Sequence, residues 1–304
     1  MSGPDTAVWQ PGFGHPGFCA REANRAVSDT GVLQGKLVGG SNDDSLADIF
    51  LQFPPTEYWR DVVVPATNKM DPKLNLTYDE LVGWIGIRLL MATSPVSNVR
   101  DWFASQKKPC VATGVPVHLN PLMSGKRFFR INSVLSFSLP SDSASATVNR
   151  FREQTPMEDA WNTNMEQEYS PAELNVLDES VMFWLTRATC PGWMFLPRKP
   201  WPFGGEWHTI SDKPNCIIHR VEYSQGRDRP VGVTKEFERE AGKGICSMIL
   251  RLCKPLFGSG RTIHLDSGFC VLSVIARLLI HGLFSNAQIK KRRCAAADMR
   301  RDKK

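Results

Sequence analysis

Two short apolar runs in the second half of the chain each end on an acid, Leu174-Asn-Val-Leu-Asp178 and Thr262-Ile-His-Leu-Asp266. Their length and aliphatic content predict strands that finish at the aspartates. Side chains alternate across a strand, so Val176 and Asp178 share one face while Leu177 and Glu179 share the other. In the second run Thr262, His264 and Asp266 lie on one side, Ile263 and Leu265 on the opposite one. Two carboxylates delivered by separate strands suit divalent metal. Hard ions such as Mg²⁺ take oxygen ligands, and paired ions activate an attacking oxygen and stabilise a leaving one. On a regular strand Glu179 points away from Asp178 and is not expected to share its metal. His264 points with Asp266, and a hydrogen-bonded strand histidine is expected there, because hard ions prefer oxygen to imidazole. For a lone aspartate the ordinary account is a turn contact to nearby backbone.

The rest of the pattern divides the chain. Residues 1–44 are rich in Gly, Pro, Ser and Asn without apolar period, and a disordered segment is expected. A helical region is expected over 45–150. Ser45 and Asp48 stand in capping-box relation ahead of a helix to Phe53, Pro54-Pro55 interrupts it, and a second helix runs from Thr56 to about Asn68. Thr77 and Glu80 form another capping box before Leu81, Trp84, Ile85, Arg88 and Leu89 at helical spacing, predicting a helix to about Ala92. From Ser124 a further helix places Phe128, Ile131 and Leu135 on one face. A Ser, Asp and Ala loop at 138–148 precedes a change of character. Strands from 174 to 178 and onward, at 208–211 and at 216–223, a helix at 246–254, the strand to Asp266, a helix at 272–280 and a strand at 287–290 give an α/β order within residues 151–293. A basic tail, 294–304, follows.

The chain of 304 residues has room for one large domain or two ordinary ones. No run approaches the ~18 apolar residues of a membrane helix, and the first twenty residues lack a signal-peptide core, so an intracellular protein without membrane contact is expected. The eight cysteines contain no Cys-x-x-Cys pair and no zinc-finger spacing, which predicts reduced thiols. Lysine and arginine number 37 against 31 acids, a net charge of +6. Residues 290–304 carry eight basic side chains against Asp298 and Asp302, which accounts for all of it; the remainder is balanced at 29 of each sign. Such a tail can bind polyphosphate, serve as a nuclear import signal or be a solvated chain end.

Around Asp178 the chain reads Tyr169-Ser-Pro-Ala-Glu173 before the strand and Asp178-Glu-Ser-Val-Met-Phe-Trp-Leu-Thr-Arg187 after it, then Pro197-Arg-Lys-Pro-Trp-Pro-Phe-Gly204. Later come Lys254-Pro255, Gly258, Gly260, the strand to Asp266, Phe269, Gly282 and Lys290-Lys-Arg-Arg293. Upstream stand Asp48-Ile-Phe-Leu51, Tyr58-Trp59, Leu76-Thr-Tyr-Asp-Glu-Leu-Val-Gly-Trp84 and Met123-Ser-Gly-Lys-Arg-Phe-Phe-Arg-Ile131. In order and spacing these segments resemble the piggyBac-type transposases over roughly residues 45–293. Several motifs in order are more specific than any one alone.

The resemblance implies an α/β, ribonuclease-H-like catalytic core, incomplete at its C-terminus, preceded by an α-helical dimerisation or DNA-binding region. It implies Asp178 and Asp266 as catalytic carboxylates that bind Mg²⁺ or Mn²⁺, and DNA as the partner in metal-dependent strand cleavage and transfer. Arg187, Arg198 and Lys199 become candidate phosphate contacts, joined by Lys290, Lys291, Arg292 and Arg293. Trp193, Trp201, Phe203 and Trp207 are candidates either for stacking on unpaired bases or for burial against the sheet.

Two departures from the family pattern shape the expected function. The family places a lysine soon after the glycine of the Pro-x-Lys-Pro segment, whereas Gly204 is followed here by Gly205-Glu-Trp207. The family core also continues to a third catalytic aspartate, often with a cysteine-rich zinc module beyond it, and Asp298 lies too near the last strand to be that acid. The expectation is a truncated, transposase-derived relic with DNA binding, weak metal binding and little or no cleavage. Two alternatives stand beside it: an active enzyme whose third carboxylate comes from another residue or chain, and a domesticated interaction module. In the latter the N-terminal helices pair with a related transposase; a homodimer, or a dimer with a related transposase, is the expected protein assembly. A nuclear location is expected.

Overall fold

The structure, a computed structural model, describes residues 36–37, 45–93, 98–104, 115–139, 150–229, 234–242 and 244–289. Strand β1 (Lys36–Leu37) pairs antiparallel with β2 (Tyr169–Ser170), so this dipeptide is ordered strand and not disordered chain. The rest of residues 1–44, most of the 138–148 loop and the 294–304 tail lie outside the described residues.

Helix α1 (Leu46–Gln52) carries the predicted capping box: Asp48 N–H donates to Ser45 Oγ at 3.2 Å and Ser45 N–H donates to Asp48 Oδ2 at 3.0 Å. Past Pro54-Pro55 the second helix forms in three consecutive pieces, α2 (Thr56–Tyr58), a π-helical turn (Trp59–Val63) and α3 (Val64–Met70). Pro65 has no N–H to offer the carbonyl four residues back, and the widened turn lies just before it. Helix α4 (Tyr78–Thr93) keeps half of its capping box, with Glu80 N–H donating to Thr77 Oγ1 at 3.2 Å. The Glu80 carboxylate instead holds Arg127 through bonds of 2.5 and 2.6 Å, because a bidentate charge-assisted pair is stronger than a contact to a neutral amide.

The residues α4 buries are Leu81, Trp84 and Ile87, while Leu89 is exposed, so its buried face is turned from the predicted one. Docking decides this. Trp84 stacks on Phe128 at 5.6 Å and donates its Nε1–H to Phe128 O, and Phe128 belongs to α5 (Gly125–Val134), which also buries Ile131. A first hydrophobic cluster, including Trp59, Val63, Leu81, Trp102, Phe128 and Ile131, closes this region.

Helix α6 (Gln154–Glu168), which the pattern does not predict, buries only Asn162 and Met165. The sheet follows: β3 (Leu174–Phe183), β4 (Met194–Phe195), β5 (Phe203–Asp212), β6 (Ile218–Tyr223), then α7 (Glu238–Ala241), α8 (Ile245–Cys253), β7 (Thr262–Leu265), α9 (Leu272–Ile280) and β8 (Phe284–Ala287). Strands β4 and β6 both pair with β5, β5 pairs with β3, and all three pairings are antiparallel. On the other side β3, β7 and β8 run parallel. This mixed sheet is consistent with a ribonuclease-H-like core. A second cluster, with Leu177, Ile210, Ile249, Ile263, Leu265 and Leu278, fills the space between the sheet and helices α8 and α9.

Strand β8 begins three residues before the predicted 287–290 segment, in register Thr262↔Phe284 with β7. Gly282 sets the turn that admits it: its φ is +70°, and a Cβ there would meet Gly258 Cα at 3.0 Å. Strand β5 starts at Phe203 and β6 at Ile218, with Cys216 in a left-handed turn conformation at φ +55°. The outer edge of β6 is served by α6. Asn162 donates to Val221 O at 2.8 Å and accepts from Val221 N–H at 2.9 Å, and Glu158, one turn earlier, accepts from Tyr223 N–H at 2.9 Å. A helix thus satisfies backbone groups that an edge strand would otherwise expose. No helix among the described residues is long and apolar enough to cross a membrane. Cys190, Cys216, Cys246, Cys253 and Cys270 are free thiols.

Candidate functional site

The parallel register of β3 and β7 runs from Leu174↔Thr262 to Leu177↔Leu265. The next residue on each chain segment is an aspartate, so Asp178 and Asp266 follow the last paired couple side by side. Strand β7 ends there, whereas β3 continues to Phe183 because β5 pairs with it as far as Gly204. Asp178 is therefore a mid-strand residue, opposite Thr209, and not the strand end that the apolar run suggests. Both aspartates line one open cavity of about 500 Å³, together with Val176, Lys213, His264 and Asn286.

Local backbone holds each carboxylate by one oxygen. Asp178 Oδ1 accepts from Glu179 N–H at 2.8 Å, while Asp266 Oδ1 accepts from Gly268 N–H at 2.6 Å and Phe269 N–H at 3.1 Å. The Asp266 carbonyl also accepts from Cys270 N–H at 3.1 Å. Asp266 is thus a turn residue and a cavity residue at once. Among the described residues Oδ2 of each aspartate carries no hydrogen bond, which leaves one oxygen apiece for a ligand. Two carboxylates lining one open cavity, each with an oxygen left over, fit a hard cation. Lys213 also lines that cavity, and among the described residues it makes no ion pair with either aspartate. Among the described residues no group of three or more His, Cys, Asp or Glu converges as a ligand set.

The candidate cations separate by position. Glu179, on the face opposite Asp178, pairs with Lys199 at 2.9 Å. The Glu179 bond holds the Lys199 ammonium above its ordinary pKa against the opposing effect of burial, with Asp178 and Glu206 adding to it. Lys199 is thereby committed to a carboxylate. Arg187, opening the turn Arg187–Thr189, and Arg198 are exposed, and neither side chain makes an ion pair among the described residues. Lys290, Lys291, Arg292 and Arg293 lie outside the described residues. Of the aromatic candidates, Trp193 stacks on Phe203 at 5.8 Å and Trp207 meets Tyr223 edge-on at 4.8 Å, while Trp201 is 66% exposed beside Phe183.

Residues that the strand patterns do not single out complete the surroundings. Lys213 and Asn286 reach the cavity only through the pairing of β5 with β3 and of β8 with β7, which no local spacing encodes. Behind the sheet, buried Glu222 accepts two bonds from Arg251, at 2.8 and 2.9 Å, and one from Lys235 at 2.9 Å. Nearby, burial raises the Glu158 carboxyl to about 7, with the Tyr223 N–H bond opposing and the Glu222 charge adding to the shift.

Comparison with known proteins bears on these observations. The family model described as Transposase IS4 matches residues 46–299. Among solved structures the chain is similar to a piggyBac transposase synaptic complex with hairpin DNA, determined by cryo-electron microscopy, at 18% identity and a TM-score of 0.60. The match covers 85% of this chain and 54% of that one, so the chain spans about half the length of that structure, and the likeness is one of fold. No curated protein matches the chain.

Proposed function

From a chain that belongs to the Transposase IS4 family and shares the fold of piggyBac transposase, we propose a DNA-binding, transposase-derived protein that holds a divalent cation weakly between Asp178 and Asp266. The observation that carries this reading is the parallel β3/β7 register, which sets the two carboxylates next to each other on one cavity. A bound Mg²⁺ or Mn²⁺ would polarise a phosphoryl oxygen and lower the pKa of water. The chain's own groups hold the acids: the Glu179, Gly268 and Phe269 amides fix one oxygen of each and leave the other without a hydrogen bond among the described residues. Arg187 and Arg198 supply free guanidinium groups for backbone phosphates, contacts that position DNA without reading its sequence.

Two carboxylates, with no third ligand converging on them among the described residues, support weak retention of one ion, while strand transfer by paired ions needs ligands that fix both. We therefore read the chain as a relic that binds DNA with little cleavage of its own. Nuclear location and pairing with a second transposase chain belong to the same proposal. Its test is a nicking assay on duplex DNA across a wide Mn²⁺ range, with Asp178→Ala and Asp266→Ala as controls. The relic reading expects no cleavage by any of the three. Cleavage by the native chain that disappears in both variants would replace it with an active enzyme using a further ligand.

A further inference from the structure

We propose that the outer face of α9 is a contact between two copies of this chain, packed as antiparallel helices about a two-fold axis at Ala276. This goes beyond the pairing named above by assigning the surface and the partner, and it involves neither DNA nor the acid pair.

Helix α9, Leu272-Ser-Val-Ile-Ala-Arg-Leu-Leu-Ile280, is apolar on both sides. Val274 and Leu278 point inward and are fully buried in the cluster against the sheet. At about 100° per residue, Leu272, Ala276, Leu279 and Ile280 fall together on the opposite side. Leu272 is 72% exposed, Leu279 45% and Ile280 79%, and Ala276 is exposed between them. A surface helix ordinarily turns polar residues outward, and one that is apolar all round belongs in an interior. The single charged residue of α9, Arg277, donates to Glu240 O on α7 and is thereby held by its own chain, which leaves the stripe without a charge. Ile245, 38% exposed at the start of α8, widens the apolar surface: the next residue, Cys246, accepts from Ser273 Oγ at 4.0 Å.

The stripe is its own complement. Ala276 lies midway between Leu272 and Ile280, so an antiparallel copy crossing at Ala276 sets Leu272 of each chain against Ile280 of the other. The small side chain at the crossing lets the helix axes approach to about 8 Å, the short end of the packing range. Antiparallel packing also brings the positive end of each helix dipole beside the negative end of the other. An unlike partner is ordinarily selected by charge complementarity, and an uncharged stripe offers none. Size sets the strength. The nine residues of α9 span about 13 Å at ~1.5 Å per residue, so each copy contributes less than the ~800 Å² of a standard stable interface. The pairing is therefore weak and reversible, with a Kd on the order of 10–100 μM.

The test is sedimentation equilibrium of the full chain, free of DNA, from ~1 to ~200 μM, a range that brackets this Kd. It compares the native chain with Leu272→Glu, Ile280→Glu and the double variant Leu272→Lys with Ile280→Glu. The native chain should show a monomer–dimer equilibrium. Either single variant sets a carboxylate against an apolar side chain in the contact and should weaken it by at least about 10-fold. The double variant should regain most of the native affinity, because antiparallel packing puts each new ammonium opposite a new carboxylate. Both positions are exposed, so thermal melts of all variants should match the native chain. A native chain that stays monomeric throughout the range overturns the inference. A dimer that both single variants leave intact also overturns it, placing the pairing on another surface while the transposase-derived reading stands. Loss of the dimer in the single variants without recovery in the double variant overturns the antiparallel arrangement and the inference with it.

Discussion

Gly268 occupies a position where Asp266 leaves no room for a side chain. A Cβ built on Gly268 would lie 2.9 Å from Asp266 Oδ1, the oxygen that accepts the Gly268 N–H at 2.6 Å. Gly268→Ala must therefore push the carboxylate off its two amide donors. With Asp266 disoriented, Mn²⁺ affinity should fall about 10- to 100-fold, the usual cost of losing a supporting contact to a ligand. Calorimetric titration checks this, and a thermal melt of the same variant separates a moved carboxylate from general unfolding.

Lys199 is tied to Glu179, and releasing it should change DNA binding more than stability. The pair is partly exposed, with 34% and 23% of the two side chains accessible, so breaking it costs at most about 1 kcal/mol. Glu179→Gln frees an ammonium beside Arg198 and removes a negative charge. Affinity for duplex DNA should rise, and the slope of log K against log salt should steepen by about 0.9 for the added phosphate contact. An unchanged slope would show that Lys199 faces no phosphate.

The Glu158 carboxyl gives a pH signature. Its folded pKa of about 7 lies above the ordinary glutamate value of 4.5 because burial disfavours the charge. The folded protein then holds this proton more tightly than the unfolded chain, so its stabilisation is present below about pH 4.5 and is lost as pH rises through 7. The loss amounts to about 3 kcal/mol at most. Buried His219, lowered to about 3 by burial and by Arg261 and Arg220, acts in the opposite sense and loses stability as pH falls below 6.5. The informative quantity is therefore the difference between native chain and Glu158→Gln, whose amide oxygen can still accept the Tyr223 N–H. Denaturant titrations should show the two equal near pH 4.5 and the variant ahead at pH 8.

Glu222 joins Arg251 and Lys235 behind the sheet, and truncating it strands two cations in a buried site. Glu222→Ala should destabilise the fold by about 3–5 kcal/mol, the range for removing one partner of a buried pair. A denaturant midpoint close to that of the native chain would show that the cations find other partners.

The most legible elements were those with strong local chemistry. The Ser45/Asp48 box, the helix over Leu272–Ile280 and the strand before Asp266 were all readable because caps and apolar periods are local signals. Helix α6 was hidden because the side chains that dock it on β6 are Glu158 and Asn162, which carry no hydrophobic period. The continuation of β3 past Asp178 was expected, but its end at Phe183 was not, because residues 178–183 are mostly exposed and depend on β5 for their strand form. At the site, the alternation of Asp178 and Glu179 across β3 followed from strand geometry. The convergence of Asp178 and Asp266 on one cavity was expected from their strand ends and the family match, whereas the register that sets them side by side and the arrival of Lys213 were not, since register between distant strands is a tertiary property.

The central claim is that Asp178 and Asp266 act together on one cation, and a Mn²⁺ titration of the native chain, Asp178→Ala, Asp266→Ala and the double variant tests it most directly. One weak site is expected in the native chain, abolished by either single substitution, with the double variant no worse than the singles because the two acids serve the same ion. Native-like Mn²⁺ affinity in either single variant would contradict the account.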